Sequence, residues 1–315
     1  MVNLPKEVTI AEVCPRDGFQ SLKETVPVDE KISFINGLME CGFKQIEVTS
    51  FVHPKAIPQL KDADEVLHRI NRKNNVKLRA LVPNLHGLER AIASNVDKVK
   101  LMLSASDSHS LSNANRKTME AMAQFDSLVK RAKETTVKVS GSISVAFGCP
   151  YEGEIPVERH LAICKKYDEL GIHDISLADT SGMANPVKVK RIIATLRDAY
   201  PHFNFSLHLH NTRGMAFANA VAGLKEGIVD FDSSVAGFGG CPYAPNASGN
   251  IATEDLVHGL EEMGIQTGID LDRLIALGQE LSKAYPQQAD SFIQKAGKIS
   301  DLHKSPTNQI KLVNE

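Results

Sequence analysis

Two histidines separated by one residue are the first feature of the sequence that could carry chemistry. His208 and His210 end residues 203–210 (FNFSLHLH), in which apolar and polar side chains alternate. Because side chains on a β-strand alternate between its two faces, this pattern predicts that both imidazoles point the same way. Two such imidazoles can hold a divalent metal ion. A pair of hydrogen-bonded core histidines is the alternative, and the spacing alone leaves both interpretations open.

Charged residues at the ends of other predicted strands could complete such a site. Arg16 and Asp17 end the first strand, Glu47 lies within the second, and Asp179 ends the sixth. Carboxylates bind hard cations through oxygen, and an arginine facing an open barrel mouth supplies a fixed positive charge to a substrate oxygen. Each of these residues taken singly also fits a surface ion pair or a salt bridge inside the fold.

A glycine-rich segment, residues 237–250 (GFGGCPYAPNASGN), follows the eighth predicted strand. Connections of this length are commonly lids or binding loops. Glycines flank Cys241, so the segment could close over a substrate and deliver a thiol as proton donor. The alternative is that Cys241 is merely a small loop residue.

Eight strands that alternate with amphipathic helices must position these residues. Helical spacing predicts the first helix from Ile32, Ile35 and Leu38, and the fifth from Val157 and Cys164. The strands are predicted to begin near Val8, Gln45, Val76, Lys98, Val137, Asp174, Phe203 and Val229. Eight such units predict an α/β fold, the (β/α)8 TIM barrel, with catalytic groups at the carboxyl ends of its strands.

We expect a single domain over residues 1–315, with the barrel at about residues 6–263 and a C-terminal helical extension at about 264–315. A doubly wound open sheet is the alternative architecture. No GxGxxG string or phosphate-binding loop follows the first strand, which excludes the usual nucleotide-binding form of that sheet.

The composition narrows the class of protein. The 315 residues include 36 basic and 38 acidic side chains without long blocks of one sign, which argues against a nucleic-acid or membrane partner. The amino-terminal residues lack the apolar core of a secretory signal, so we expect a cytoplasmic enzyme. Five cysteines with no CxxC spacing predict reduced thiols, with neither a disulfide framework nor a zinc ribbon.

Taken together, the motifs resemble the 3-hydroxy-3-methylglutaryl-CoA lyase family. The resemblance covers roughly residues 6–290, with the segments in order and at the expected spacing. The matching strings are residues 13–20 (VCPRDGFQ), 46–52 (IEVTSFV), 147–152 (FGCPYE), 177–180 (LADT), 208–210 (HLH), 239–244 (GGCPYA) and 249–255 (GNIATED).

This resemblance implies a barrel enzyme that cleaves a 3-hydroxy-3-methyl acyl-CoA thioester into acetyl-CoA and a keto acid with Mg²⁺ or Mn²⁺. The family pattern makes Asp17, His208, His210 and Asn250 the metal ligands, with Glu47 close to them. We also expect the chain to form a homodimer.

The resemblance also implies roles for residues around the metal. Arg16 would stabilise the thioester oxygen, Cys241 would be the loop thiol, and Asp179 a further polar catalytic residue. Glu254 would support the site from the start of the last barrel helix. Asn113 would lie where relatives meet the CoA nucleotide.

Three alternatives accompany this prediction. Cys14 and Ala178 replace glycines that are common in the family, so a lyase of the same mechanism could prefer a related short acid such as a citramalyl-CoA. A condensing synthase of the wider barrel superfamily usually carries a Gly-Glu-Arg-Ala-Gly-Asn type string before its metal asparagine, and this chain does not. A non-enzymatic scaffold would be expected to have lost some of the six site residues, all of which are present.

Overall fold

The computed structural model describes residues 4–240, 249–286 and 289–302. Its eight strands each begin within one residue of the predicted position. They are β1 (Thr9–Glu12), β2 (Gln45–Ser50), β3 (Lys77–Leu81), β4 (Lys98–Ser104), β5 (Lys138–Ser144), β6 (Asp174–Asp179), β7 (Asn204–Leu209) and β8 (Asp230–Ser233).

The strands form a closed parallel barrel. Each strand pairs with the next in chain order, and β8 pairs with β1 over Thr9 to Glu12. This closure confirms the predicted (β/α)8 TIM barrel and excludes the open sheet. All strands run the same way, so their carboxyl ends meet at one mouth.

Strand β7 shows how the local sequence aims side chains into the barrel. Phe205, Leu207 and Leu209 are buried in the hydrophobic core, and His208 takes the opposite face. In the sheet register His208 lies beside Ala178 of β6 and Asp232 of β8. An imidazole and a carboxylate therefore share one layer of the barrel interior.

Amphipathic helices surround the barrel. They include the first predicted helix, built on Ile32, Ile35 and Leu38, and the fifth predicted helix, built on Val157 and Cys164. In the first, Ile35 and Leu38 are buried, and Ile32 packs partly buried against the core. The described helices are α1 (Val28–Glu40), α2 (Ala63–Arg69), α3 (Leu85–Ala93), α4 (Asp107–Ala114), α5 (Thr118–Met122), α6 (Phe125–Ala132), α7 (Val157–Leu170), α8 (Pro186–Ala199), α9 (Ala216–Lys225), α10 (Thr253–Glu262), α11 (Leu271–Ala284) and α12 (Phe292–Ala296). None of them is both long and apolar enough to cross a membrane.

Helices α11 and α12 form the predicted C-terminal extension as far as residue 302. Leu274 and Leu281 of α11 are buried in the same hydrophobic core as the barrel helices. The carboxylate of Asp255 accepts hydrogen bonds from Ser291 and from the backbone N–H groups of Phe292 and Ile293. The extension is therefore tied to the first turn of α10, which begins three residues after Asn250.

Candidate metal and catalytic site

A turn of π-helix, Cys14–Gly18, follows β1 and carries Arg16 and Asp17. Both backbone N–H groups donate to the carbonyl of Val13, at 3.1 and 2.7 Å. Gly18 allows this tight path, because a Cβ atom there would lie 2.7 Å from the sulfur of Cys14. The turn thus places a guanidinium and a carboxylate side by side at the barrel mouth, and such turns often occur at functional sites.

Asp17 meets both histidines of β7. His208 Nε2 is 3.7 Å from Asp17 Oδ2 and 3.2 Å from His210 Nε2. One ligand atom from each of the three residues lies within 4.8 Å of the others, and all three side chains are buried. The structure therefore brings together three of the four residues predicted as metal ligands, from the ends of two strands that are not neighbours.

Asn250 completes this cluster from the far end of the glycine-rich segment. It forms an isolated antiparallel bridge with His210, and Ile251 N–H donates to the carbonyl of Leu209 at 2.9 Å. Its Nδ2 donates to Asp17 Oδ2 at 2.8 Å and to the carbonyl of Phe238 at 2.9 Å. Its Oδ1 is buried and has no hydrogen-bond partner among the described residues.

The donor set fits a divalent cation. Two imidazole nitrogens, one carboxylate and one amide oxygen form a mixed set of the kind that binds divalent ions such as Mn²⁺. A buried amide oxygen without a partner is costly, and among the described residues none satisfies Oδ1 of Asn250, which a bound cation would do. Gly239 passes close by: a Cβ atom there would lie 2.4 Å from Asn250 Nδ2, so only glycine leaves this space.

Burial and charge together set the ionisation of Asp17. Burial alone would raise the pKa of this carboxyl, but the adjacent Arg16 guanidinium and the two histidines lower the pKa below its usual value. The group therefore stays an anion at neutral pH, as a metal ligand must.

Glu47 lies beneath Arg16 rather than among the ligand atoms. It accepts a hydrogen bond from Arg16 Nε at 2.6 Å and forms ion pairs with Arg79 at 2.9 Å and Lys100 at 2.7 Å. Burial would raise the pKa of Glu47, but these three cations hold it well below its usual range. Glu47 fixes the position and charge of Arg16.

Arg16 is buried, with only 6% of its surface exposed, and this corrects the expectation of an arginine in an open mouth. It pairs with both Asp17 and Glu47. The guanidinium lies where these two carboxylates converge. Removing this guanidinium would leave the carboxylates of Asp17 and Glu47 each with one fewer cation to pair with.

Asp232 is a functional residue that the sequence analysis missed. Its Oδ2 lies 3.4 Å from His208 Nδ1, and its carboxylate pairs with Arg79 and Lys100. A carboxylate at the second nitrogen of a metal-binding imidazole fixes the ring orientation and strengthens the ligand. A local signal existed for its partners, because Arg79 and Lys100 each lie between two apolar residues of a strand, as Glu47 does, whereas Asp232 lies in the polar strand DFDS and carries no such signal.

Asp179 lies at the end of β6 but faces away from the cavity. Ala178 and Thr180, its neighbours, line the cavity at the barrel mouth, so strand alternation turns Asp179 outward. Its Oδ1 accepts hydrogen bonds from the N–H groups of Met183 and Ala184, at 2.8 and 3.0 Å. Burial raises the pKa of Asp179 to about 7 despite these bonds. The contacts position the loop after β6.

Glu254 supports the turn that leads into the glycine-rich segment. Its carboxylate accepts from Ala236 N–H at 2.9 Å and from Gln294 Nε2 at 2.7 Å. Ala236 has a left-handed backbone with φ of 55°, which a non-glycine residue adopts only when its surroundings hold it there. Burial raises the pKa of Glu254 to about 7.

The cavity beside the metal cluster is lined by Arg16, Asp17, His208, Asn113 and His109. Asn113 and His109 are four residues apart on α4, so they share one face of this helix. His109 was not singled out from the sequence. Its Nδ1 is 2.7 Å from Ser104 Oγ, and its buried Nε2 has no partner among the described residues. Burial lowers the pKa of His109, which favours the neutral imidazole.

The predicted loop thiol, Cys241, lies outside the described residues, as do residues 242–248. The ends of this segment are described. A Cβ atom on Gly249 would lie 1.5 Å from the carbonyl oxygen of Gly237, so the two ends are in close backbone contact. The other four cysteines are free and buried.

Comparison with known proteins agrees with this geometry. A family model described as HMGL-like matches residues 7–281. The chain is 41% identical over 288 residues to hydroxymethylglutaryl-CoA lyase of Bacillus subtilis, covering 90% of this chain and 96% of the relative. It is 40% identical over 296 residues to the mitochondrial hydroxymethylglutaryl-CoA lyase of Homo sapiens, covering 94% of this chain and 91% of that protein.

A solved structure is similar over nearly the whole fold. It is that of an HMG-CoA lyase from Acinetobacter baumannii in complex with coenzyme A and 3-methylmalate. It superposes with a TM-score of 0.92 at 43% identity, covering 97% of this chain and all of that chain. The motifs, the closed barrel and these matches together show that the chain belongs to the HMGL-like family.

Proposed function

We propose that this protein is a 3-hydroxy-3-methylglutaryl-CoA lyase, which cleaves its substrate into acetyl-CoA and acetoacetate with a divalent cation. The observation that carries the proposal is the cluster of Asp17, His208 and His210 with Arg16 beside it, in a chain about 40% identical to enzymes of that name. The cavity next to this cluster would hold the thioester.

Asp17, His208, His210 and Asn250 would hold Mg²⁺ or Mn²⁺. Two observations support this assignment: Oδ1 of Asn250 is buried with no hydrogen-bond partner among the described residues, and Asp17 stays an anion. When bound, the cation supplies a Lewis acid that lowers the cost of negative charge on the substrate's C3 oxygen.

The reaction breaks the bond between C2 and C3 of the acyl chain. The C3 hydroxyl gives its proton to a general base of the site, and C3 becomes the ketone carbon of acetoacetate. The electron pair of the broken bond passes to C2 and the thioester oxygen as an enolate. Arg16 would stabilise that oxygen, because Glu47 beneath it fixes the guanidinium in place.

A proton must then reach C2 to give acetyl-CoA. We assign this step to Cys241, since the ends of its segment meet at the metal cluster through Gly239 and Asn250. Asn113 would contact the CoA moiety from α4, and it lines the same cavity as Arg16. For Asp179 and Glu254 we propose positioning roles, in the loop after β6 and at the base of the glycine-rich segment.

A lyase of the same mechanism that acts on a related short acid is the second candidate. The structural relative at 43% identity was solved with coenzyme A and 3-methylmalate, a short hydroxy dicarboxylate. Ala178 and small polar groups line the cavity beside the metal cluster. This lining would accommodate either acyl group.

The test is to incubate the purified full chain with Mg²⁺ and a panel of 3-hydroxyacyl-CoA thioesters, and to identify products by mass. We expect acetyl-CoA and acetoacetate from the hydroxymethylglutaryl thioester. Acetyl-CoA and pyruvate from citramalyl-CoA as the preferred reaction would favour the second candidate. Chelator should abolish turnover and Mg²⁺ should restore it. Absence of cleavage for every thioester, with metal bound, would refute the lyase assignment.

We further propose that the chain folds as one domain over residues 1–315. We also propose that it is cytoplasmic and forms a homodimer. The hydrogen bonds that Ser291 donates to Asp255 and Gln294 donates to Glu254 support packing of the extension on the barrel. Sedimentation of the purified chain tests the dimer. Removal of residues 287–315 should lower the melting temperature of the barrel, and an unchanged value would argue for a separate extension.

A further inference from the structure

Three potential metal ligands lie together at the amino-terminal end of the barrel. Asp168 is in the last turns of α7, His173 directly precedes β6, and His202 precedes β7. His173 Nε2 is 3.0 Å and His202 Nε2 is 2.9 Å from the same atom, Asp168 Oδ1. Ligand atoms of all three residues lie within 4.8 Å of one another. Two imidazoles thus converge on one carboxylate oxygen.

Aromatic packing holds the two imidazoles in place. The ring of Phe203 lies 5.3 Å from that of His173 and 5.0 Å from that of His202, and Phe203 itself is buried. The two imidazoles meet edge-on at 5.0 Å. Their side chains remain 46% and 50% exposed, so an ion from solvent can reach them. The cluster is therefore both oriented and accessible.

The spacing suits a tetrahedral zinc site. Zinc binds imidazole nitrogen and carboxylate oxygen at about 2.0–2.2 Å, so neighbouring ligand atoms of a tetrahedral site are about 3.3–3.5 Å apart. Two of the three ligand pairs already lie at 2.9 and 3.0 Å, and small side-chain rotations would admit the ion. Solvent would supply the fourth ligand.

We propose that Asp168, His173 and His202 form a second metal site, which binds Zn²⁺ or a similar imidazole-preferring transition ion. Because the three residues belong to α7 and to the starts of two strands, the ion would tie three consecutive parts of the barrel together. Binding only to the folded chain would raise its stability.

This site is separate from the catalytic one. His202 precedes β7 and His208 lies near the carboxyl end of this strand, six residues further along the chain, which corresponds to about 20 Å along a strand. Both clusters offer two imidazoles and one carboxylate, so this distance, and not the ligand chemistry, separates the two sites. The inference therefore does not depend on the proposed lyase function.

The experiment measures zinc bound per chain by equilibrium dialysis of the full-length, metal-stripped protein. The variants are His202→Asn and His173→Asn, each of which removes one ligand. His68→Asn, at an exposed histidine on α2, is the matched control. We expect the wild type and the control to bind one more Zn²⁺ per chain than either cluster variant. Comparing variants in this way cancels any zinc that enters the catalytic site.

Thermal melting gives a second readout. Added Zn²⁺ should raise the melting temperature of the wild type and of His68→Asn more than that of His202→Asn. Turnover of all four proteins with Mg²⁺ in zinc-free buffer should be equal, so a failed lyase assay and a failed zinc assay are distinguishable. If one cluster variant does not fold, the other provides the comparison. Equal zinc stoichiometry in folded wild type and cluster variant would overturn the proposal.

Discussion

Replacing Arg16 by glutamine tests the electrostatic core of the site. Arg16 is buried and pairs with Asp17 and Glu47 at once, so Arg16→Gln removes a charge from both the cavity and the network beneath it. We expect two separable effects, one on turnover and one on stability. Mn²⁺ should still bind at neutral pH, because the ligand atoms of Asp17 and His208 remain.

The magnitudes follow from the contacts. Losing one donor to a developing oxyanion typically lowers kcat by about 10²–10³-fold, or about 3–4 kcal/mol in the barrier. Breaking a buried ion pair by removing one partner costs about 3–5 kcal/mol of stability. The cost here should be smaller, because Glu47 keeps Arg79 and Lys100. Each kcal/mol lost should lower Tm by about 1.5 °C in a chain of 315 residues, because the entropy of unfolding grows with chain length.

Arg79→Gln is the matched control. Arg79 also pairs with the buried Glu47, but it lies deeper in the barrel and does not line the described cavity beside the metal cluster. Both variants should lose similar stability, while only Arg16→Gln should lose the larger part of kcat. The measurements are kcat and KM with the cleaved thioester, thermal melting, and Mn²⁺ titration. Near-normal kcat in Arg16→Gln with metal bound, or equal kcat losses in the two variants, would refute the assigned role.

Four further changes test other parts of the site. Asp232→Asn should weaken Mn²⁺ binding by about 10–100-fold, because the His208 ring loses its carboxylate partner; an unchanged titration would contradict this. Cys241→Ser should lower kcat by about 10²–10⁴-fold with little change in Tm, and a lower Tm with normal kcat would instead make the thiol structural. His109→Phe puts a slightly larger ring without nitrogen at this position, which removes the Nδ1 contact with Ser104 and the Nε2 that has no partner among the described residues; KM for the thioester should rise by about 2–10-fold, and an equal KM would show that His109 does not meet the substrate. Burial raises the pKa of Glu254 from 4.5 to about 7, so the stability from its proton is fully present below about pH 4.5 and is lost as the pH rises through 7. Glu254→Gln should therefore reduce the fall in Tm between about pH 5 and 8, and an identical fall in both proteins would count against the raised pKa.

Local patterns in the sequence were sufficient to predict the barrel and part of the candidate site. Strand alternation is a short-range property, so residues 203–210 by themselves predict that His208 and His210 share a face, and the structure places His208 in the barrel interior. The strand starts were predicted within one residue for the same reason. The motif at Arg16 and Asp17, read with the others, identified the family that the comparisons then showed.

The tertiary structure decided which charges meet. Asn250 donates to Asp17 across 233 residues of sequence, and Lys100 pairs with Asp232 across 132. Barrel closure sets these pairings, and neither partner's local pattern encodes the other. Lys100 lies between two apolar residues, as Glu47 does, but Asp232 does not, and only barrel closure shows that these three charges meet.

The sequence by itself therefore determined the fold class, the shared face of His208 and His210 and the family, and strand alternation also contained the outward direction of Asp179. The burial of Arg16 and the contact between Asp232 and His208 were decided by the closed barrel. The physical reason is that hydrophobic periodicity specifies which face of an element is buried, whereas pairing between buried charges depends on how distant elements are brought together.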